Sequence, residues 1–514
     1  MCSFAFRQAT ALPIHAKNGR EWGPENANSL TEATDEPLTR TPETRLYLSH
    51  NSSAVPILPT DAKLVRQLSL SDSILLLAGG IIGSGIFLTA KDVAINTRHP
   101  WLFLTVWVIG MGMALLACFA FAELGSMFPH AGGQYVYMRE AYGDAAGFLY
   151  GWMYFTVSAT GTVAALGVGF ATYLGQTFPA LHAEKVVASL RFVDITRGHL
   201  IALAAIALQT LINIFGVKKG AVLQNIATWA KFGAIAVFVV GGLFLGRGSW
   251  DHFRHSLVPS GNEHVSIVTG VGIALIAVFW AYDGWVYITF VGGEVKDPQR
   301  NVPRALIWGL LLVGVVYISI NAVYVYALPM NEIAAQEAVA QTAAVSMFSG
   351  WVAPWLSLMV AVSCFGAMAP CLMSGARVYY AMAEDGIFFH ALAKIHPRWH
   401  TPIMSLVLQA IWASVLTLSG KYDELFTYVM FMMVLSYVLT VAGLFVLRWK
   451  KPDMPRAYRC TGYPVLPAIY VVLGSLWALN AAVEKKKETL VGTAIVLAGV
   501  PLYLWWKRRR VIPG

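Results

Sequence analysis

GGIIGSGIF, Gly79–Phe87, lies inside an apolar run that opens the first half of this 514-residue chain. FWAYDGW, Phe279–Trp285, lies inside the run that opens the second half. A helix buried in a bilayer satisfies its backbone hydrogen bonds internally, so a glycine-rich interruption at mid-depth frees amides and carbonyls that need a partner. Interruptions at matching places in two halves point to the substrate site of a secondary transporter. A dinucleotide-binding turn is excluded, because Leu88 stands where the third glycine belongs and no βαβ pattern surrounds it.

Composition agrees with a membrane setting. The chain is 57% hydrophobic and 13% charged, with mean hydropathy +0.59; soluble domains carry about 25% charged residues. Stretches long enough for a bilayer core of ~30 Å fall at 73–91, 102–128, 145–176, 199–216, 221–247, 267–292, 304–329, 351–383, 401–418, 424–447, 463–483 and 488–506. The expected fold is an all-α polytopic membrane protein with twelve transmembrane helices. Residues 1–66 are polar, rich in Ser, Thr, Pro and Glu, and lack the continuous apolar core of a signal peptide. They read as a disordered cytoplasmic tail. Residues 67–250 and 251–450 then form two halves of five spans each, and 451–514 holds the last two spans and a short basic tail.

The net charge of +9 raises the question of a polyanionic partner. Its distribution answers it. With the N-terminus inside, Lys and Arg on the cytoplasmic side outnumber those outside by more than two to one, concentrated at Lys218 and Lys219, Arg448–Lys451 and Lys507–Arg510. This positive-inside bias places both termini in the cytoplasm of a plasma-membrane protein, and no nucleic-acid partner is expected. Lys485, Lys486 and Lys487 run against the bias. Cys2, Cys118, Cys364, Cys371 and Cys460 show neither metal-ligand spacing nor a disulfide framework. No nucleophile–base pair or phosphate loop argues for an enzyme, and no metal or cofactor is expected.

The chemistry of the first interruption follows from its residues. Gly83, Ser84 and Gly85 let the backbone unwind, and the amides that begin the next half-helix carry positive dipole character suited to a carboxylate. The freed carbonyls of Gly80, Ile81 and Ile82 suit an ammonium, so one broken helix reads both ends of a zwitterion. Gly79 and Gly83 also satisfy a GxxxG spacing for close helix packing. At the second interruption Trp280, Ala281, Tyr282 and Asp283 are candidate substrate neighbours. Asp283 is a carboxylate at mid-membrane, where ionisable groups are costly and usually functional. It could attract the ammonium, accept a proton, or cap the restarting helix through its Asp-Gly turn.

FAELGSMFPHAGGQYVYMREAYG (Phe121–Gly143), VGGEVKDPQRNVPRA (Val291–Ala305), SCFGAMAPCLMSGAR (Ser363–Arg377) and RAYRCTGYPVLP (Arg456–Pro467) complete the pattern. Glu294, Lys296, Asp297 and Arg300 read as a charged cytoplasmic turn, and Pro303 as a first-turn proline of the next helix. From about Leu68 to Trp506 the chain resembles the amino acid–polyamine–organocation superfamily, and most closely its L-amino-acid transporter branch. The resemblance implies a leucine-transporter-type fold: two inverted five-helix repeats followed by two further helices. It implies that Ser84 and Gly85 bind a substrate carboxylate, that Ile81 receives the amino group, and that Trp280 closes over the substrate. It also implies that Lys231, within TWAKFGAIAV, takes the place of the sodium ion of sodium-coupled relatives. There it would tether the broken helix, at the level where the cation of those relatives bridges the first and eighth spans. Ser363 in the eighth span either faces Lys231 or bonds its own helix backbone. Lys231 is likewise a candidate for carrying a coupled proton; its alternative is a lysine snorkelling to the interface if the fifth span begins near Asn225.

Span eight departs from the family pattern, with Ala369 and Pro370 where many relatives have Asn-Gly, and Pro370 raises the prospect of a kink. Some family members are joined by a disulfide to a heavy chain through the loop between spans three and four. Thr177–Gly198 contains no cysteine, so no such partner is expected. The resulting expectation is a stand-alone, sodium-independent carrier of L-amino acids, acting by alternating access as exchanger or proton symporter. A polyamine carrier of the same fold would need more mid-membrane carboxylates than Asp283. A membrane-bound sensor would need a soluble domain, which the tail does not supply.

Overall fold

A computed structural model of the chain describes residues 63–189, 194–256, 266–336, 338–419, 422–484 and 486–510. Most of the N-terminal tail, with Cys2, and Lys485 lie outside the described residues. The fold is that of a helical, multi-span membrane protein. Eight helices among the described residues are long and apolar enough to cross a bilayer, and several shorter apolar helices accompany them.

The first apolar run folds as α1 (Leu70–Ile81), α2 (Gly85–Leu88) and α3 (Ala90–Thr97), with Ile82–Ser84 outside any helix. Ser69 begins α1 with a capping box: its hydroxyl accepts from the Asp72 amide at 3.2 Å, and Asp72 accepts from the Ser69 amide at 2.9 Å. Then come α4 (Pro100–Met127), α5 (Gln134–Tyr142), α6 (Asp144–Met153) and α7 (Ala159–Thr177), the last two joined by a π-helical turn at Tyr154–Ser158. A two-stranded hairpin, β1 (Val186–Ser189) with β2 (Asp194–Thr196), precedes α8 (Arg197–Ile214) and α9 (Val217–Leu245).

The second run repeats the interruption, as α10 (Ile267–Tyr282) and α11 (Tyr287–Phe290). It continues into α12 (Pro298–Ala327), the short α13 (Met330–Ala335) and α14 (Val339–Phe348), and α15 (Ala353–Glu384). One expectation is corrected here. Pro298, not Pro303, is the first-turn proline of α12; Pro303 lies inside a helix that starts earlier than its apolar run. Helix α15 runs unbroken through Pro370. The chain closes with α16 (Ile403–Ser419), α17 (Tyr422–Lys450), α18 (Val465–Glu484), α19 (Lys486–Leu497) and α20 (Gly499–Arg510).

Packing sorts these helices into two groups. Helices α1, α4, α10 and α12 lean on one another, while α7, α8, α15 and α16 form a second cluster. The groups meet where α1 crosses α15, and α9 flanks that crossing. Gly79 makes the approach to α9 possible: a methyl group there would fall 2.1 Å from the Gln224 amide nitrogen. Behind the second interruption, Tyr282 packs between Trp107 and Tyr317, with ring centres 6.2 and 5.0 Å away. That cluster joins α4, α10 and α12.

Carboxylates close one end of the bundle. Glu294, expected in a charged cytoplasmic turn, is buried and held in a two-point pair by Arg377 of α15, at 2.9 and 2.8 Å. The backbone explains its position: the Glu294 carbonyl accepts from the amides of Gln67 and Leu68, pinning the segment before α1. Glu123 is buried with Arg448 and Arg456 and accepts from the Cys460 amide at 2.6 Å. Thus the FAELG and RAYRC segments, far apart in sequence, meet at one carboxylate. Asp385 accepts from Tyr135 at 2.6 Å and pairs with Arg139, while Glu140 pairs with Lys451 at 2.5 Å.

Candidate functional site

The two interruptions face each other. Gly284 follows Asp283 with φ +104°, a backbone conformation open to glycine, and a methyl there would stand 3.2 Å from the Gly80 carbonyl oxygen. A cavity of about 40 Å³ lies between them. Gly80, Ile81, Gly83, Ser84 and Gly85 line it from the first break, and Trp280, Ala281 and Asp283 from the second. Thr162, Ala165 and Leu166 of α7 and Tyr287 of α11 complete the wall.

The backbone around the first break can be accounted for group by group. Lys231 is buried fourteen residues into α9 and donates from Nζ to the carbonyl oxygens of Gly79 at 3.0 Å and Ile82 at 2.7 Å. Because α9 starts at Val217, well before Asn225, a snorkelling lysine is not what the fold holds. Ser363 of α15 donates to the same Ile82 oxygen at 2.9 Å, rather than to its own helix. An ammonium at the carbonyl end of α1 is the placement a helix dipole favours. Gly366 lets α15 come close, since a methyl there would stand 3.4 Å from Lys231 Nζ.

Tyr317 of α12 supplies the contact that sequence reasoning missed. Its hydroxyl lies 3.0 Å from the carbonyl oxygen of Ile81 and 3.0 Å from that of Ala281, so one proton is shared between the two breaks. Two of the three carbonyls expected to receive a substrate ammonium are therefore engaged, Ile82 by Lys231 and Ser363 and Ile81 by Tyr317. The Gly80 carbonyl has no protein donor among the described residues, and neither do the amides of Ser84, Gly85 and Ile86 have an acceptor. Free amides and a free carbonyl thus border one small cavity.

At the second break, Asp283 ends α10 and its Oδ1 accepts from the Tyr437 hydroxyl of α17 at 2.6 Å. Helix α11 has no side-chain cap, so the capping role is not taken. Asp283 makes no ion pair with a described residue. Tyr282 points away from the cavity, its hydroxyl 3.2 Å from the Trp107 carbonyl. Trp280 lines the cavity and remains partly exposed. Cys118, Cys364, Cys371 and Cys460 are buried free thiols.

The profile of the family described as amino acid permease matches residues 68–500. The serine/threonine exchanger SteT of Bacillus subtilis is 31% identical over 455 residues, covering 88% of this chain and 99% of that protein. The b(0,+)-type amino acid transporter 1 of Mus musculus is 30% identical, covering 86% of this chain and 88% of its own. The large neutral amino acids transporter small subunit 2 of Homo sapiens is 31% identical, over 87% of this chain and 82% of its own.

Proposed function

The chain belongs to the amino acid permease family, within the amino acid–polyamine–organocation superfamily, and on that premise we propose that it exchanges L-amino acids across the plasma membrane without sodium. The observation that carries this reading is the double contact of Lys231 Nζ with Gly79 and Ile82. A fixed ammonium there supplies the positive charge that a coupled cation would otherwise bring to the broken end of α1. The relatives described as exchangers and amino acid transporters support the substrate class.

In this reading the substrate carboxylate meets the amides of Ser84 and Gly85, and the ammonium meets the Gly80 carbonyl and Asp283. Trp280 covers the site, Thr162 and Ala165 bound the side-chain space, and Tyr317 keeps the two breaks in register. The twelve apolar runs cross the bilayer, the first ten as two inverted five-span repeats, with 67–250 and 251–450 as the halves and 451–514 as the appended pair. Both termini face the cytoplasm, following the basic loops. Alternating access is then a rocking of the α1, α4, α10 and α12 group against the α7, α8, α15 and α16 group around the central site. With no cysteine in Thr177–Gly198, the chain works without a disulfide-linked partner.

The test is counterflow in sodium-free proteoliposomes. Uptake of a labelled neutral L-amino acid into vesicles preloaded with the same amino acid, and not into empty ones, is the expected result. Uptake into empty vesicles under an inward proton gradient would replace exchange by symport, with Asp283 as the proton candidate. Strict sodium dependence would end the assignment made to Lys231.

A further inference from the structure

We infer that the cavity between the α8–α9 turn and the loop before α16 binds the headgroup of an anionic phospholipid. It measures about 530 Å³ and is lined by Lys218 and Lys219 in the first turn of α9 and by Arg398 of the loop. None of these three cations makes an ion pair with a described residue. Their state contrasts with the basic residues that close the bundle, where Arg139, Arg377, Arg448, Lys451 and Arg456 each meet a carboxylate. Among the described residues no carboxylate compensates the charge around this cavity; Lys219 Nζ lies 6.0 Å over the Phe215 ring.

Two further features select a lipid over a soluble anion. The wall that continues along α9 is apolar and open: Val222, Leu223 and Ile226 are 52%, 37% and 62% exposed, giving acyl chains a surface next to the cations. Phe215 and Trp399 stack edge to face at 5.1 Å across the two loops, an aromatic pair of the kind enriched at the headgroup level of membrane proteins. The turn is rigidly built, with Thr401 Oγ1 donating to the Ile214 carbonyl at 2.9 Å and His400 Nδ1 3.1 Å from the Lys63 carbonyl. Helix α9 also begins at Gly216 without a side-chain cap, which leaves its first amides pointing at the same end. Basic pockets between helices at the cytoplasmic surface are the setting in which anionic headgroups bind.

A bound lipid would hold the α8–α9 turn to the α15–α16 connection. The inference therefore concerns stability and membrane composition, and stands or falls apart from which substrate is carried. The experiment is a thermal-unfolding titration of the full chain in neutral detergent with phosphatidylglycerol, phosphatidylcholine or inorganic phosphate. Phosphatidylglycerol is expected to raise the midpoint saturably, the other two not. In the Lys218→Gln/Lys219→Gln/Arg398→Gln variant the apparent affinity should fall roughly a hundredfold, at about fivefold per cation. Lys218→Arg/Lys219→Arg should keep the effect, and Arg398→Gln alone should weaken it partially, so misfolding of the triple variant leaves the test intact. An undiminished phosphatidylglycerol shift in these neutralised variants would overturn the site. So would an equal shift from phosphate alone, which would mark a soluble-anion pocket.

Discussion

The Nζ of Lys231 lies 2.7 Å from the carbonyl oxygen of Ile82, the first residue past the end of α1. A side chain from the fifth apolar run thus completes the hydrogen bonding of a helix that breaks in the first. Lys231→Met keeps the stem and removes the ammonium, leaving the Gly79 carbonyl without that donor and Ile82 with Ser363 alone. Each unpaired buried polar group costs about 1–3 kcal/mol. Counterflow is expected to fall at least tenfold, with a lower unfolding midpoint. Wild-type transport by this variant would remove Lys231 from the mechanism.

Tyr317→Phe tests the link between the two breaks. The ring and its packing on Tyr282 and Trp107 remain, while the Ile81 and Ala281 carbonyls lose their shared donor, so a fall in stability of about 1–3 kcal/mol is expected. Maximal exchange rate is expected to fall more than substrate affinity, because the lost proton joined two moving half-helices. A variant with both parameters unchanged would make the hydroxyl dispensable.

Asp283→Asn keeps a hydrogen bond to Tyr437 and removes the charge. Since no described residue supplies a cation to this carboxylate, the substrate ammonium is assigned that place. A hydrogen bond to a charged group is worth about 1.5–3 kcal/mol, so KM should rise roughly ten- to hundredfold. An unchanged KM with a flattened pH profile would move Asp283 from substrate binding to proton transfer.

Glu294→Gln leaves Arg377 buried with half a partner. Breaking a buried pair from one side costs about 3–5 kcal/mol, and a large drop in the unfolding midpoint in detergent is expected. Because the Glu294 carbonyl also pins Gln67 and Leu68, limited proteolysis should cut ahead of α1 faster in the variant. A midpoint within a degree or so of wild type would show the pair to be replaceable.

Glu140 sets a pH dependence on the same face. Burial pushes its carboxyl upward, but the hydrogen bonds from Lys451 and Arg139 outweigh this and hold it below the usual carboxylate range. A lowered folded-state value stabilises above the unfolded value of about 4.3, and that contribution is lost as pH falls below it. Glu140→Gln should therefore lower the unfolding midpoint at neutral pH and lessen its loss on acidification. An identical acid limb in both proteins would show the contact contributes nothing.

The breaks could be read from sequence because glycine clusters are rare punctuation inside apolar runs, and Lys231 because a charge in such a run is conspicuous. Tyr317 could not be. A tyrosine in an apolar helix looks the same whether it packs or donates, and its role depends on a helix rotation that periodicity does not define when apolar residues surround the axis. Tyr437 is hidden for the same reason. Glu294 misleads in the opposite sense: it sits in a charged stretch that reads as a turn, and only the approach of Arg377 shows that it is buried. Ile82 reads as a substrate ligand through a carbonyl that the fold engages with Lys231 and Ser363.

Glu123 bears on how the chain can be shortened. Its carboxylate belongs to the second apolar run, yet Arg456 and the Cys460 amide reach it from the connection into α18. A trimmed protein ending after α17 would keep Arg448 and lose the other two donors, stranding a half-neutralised acid in an otherwise finished interior. The segment leading into α18 is thus not a detachable suffix; it is part of the electrostatic closure around α4.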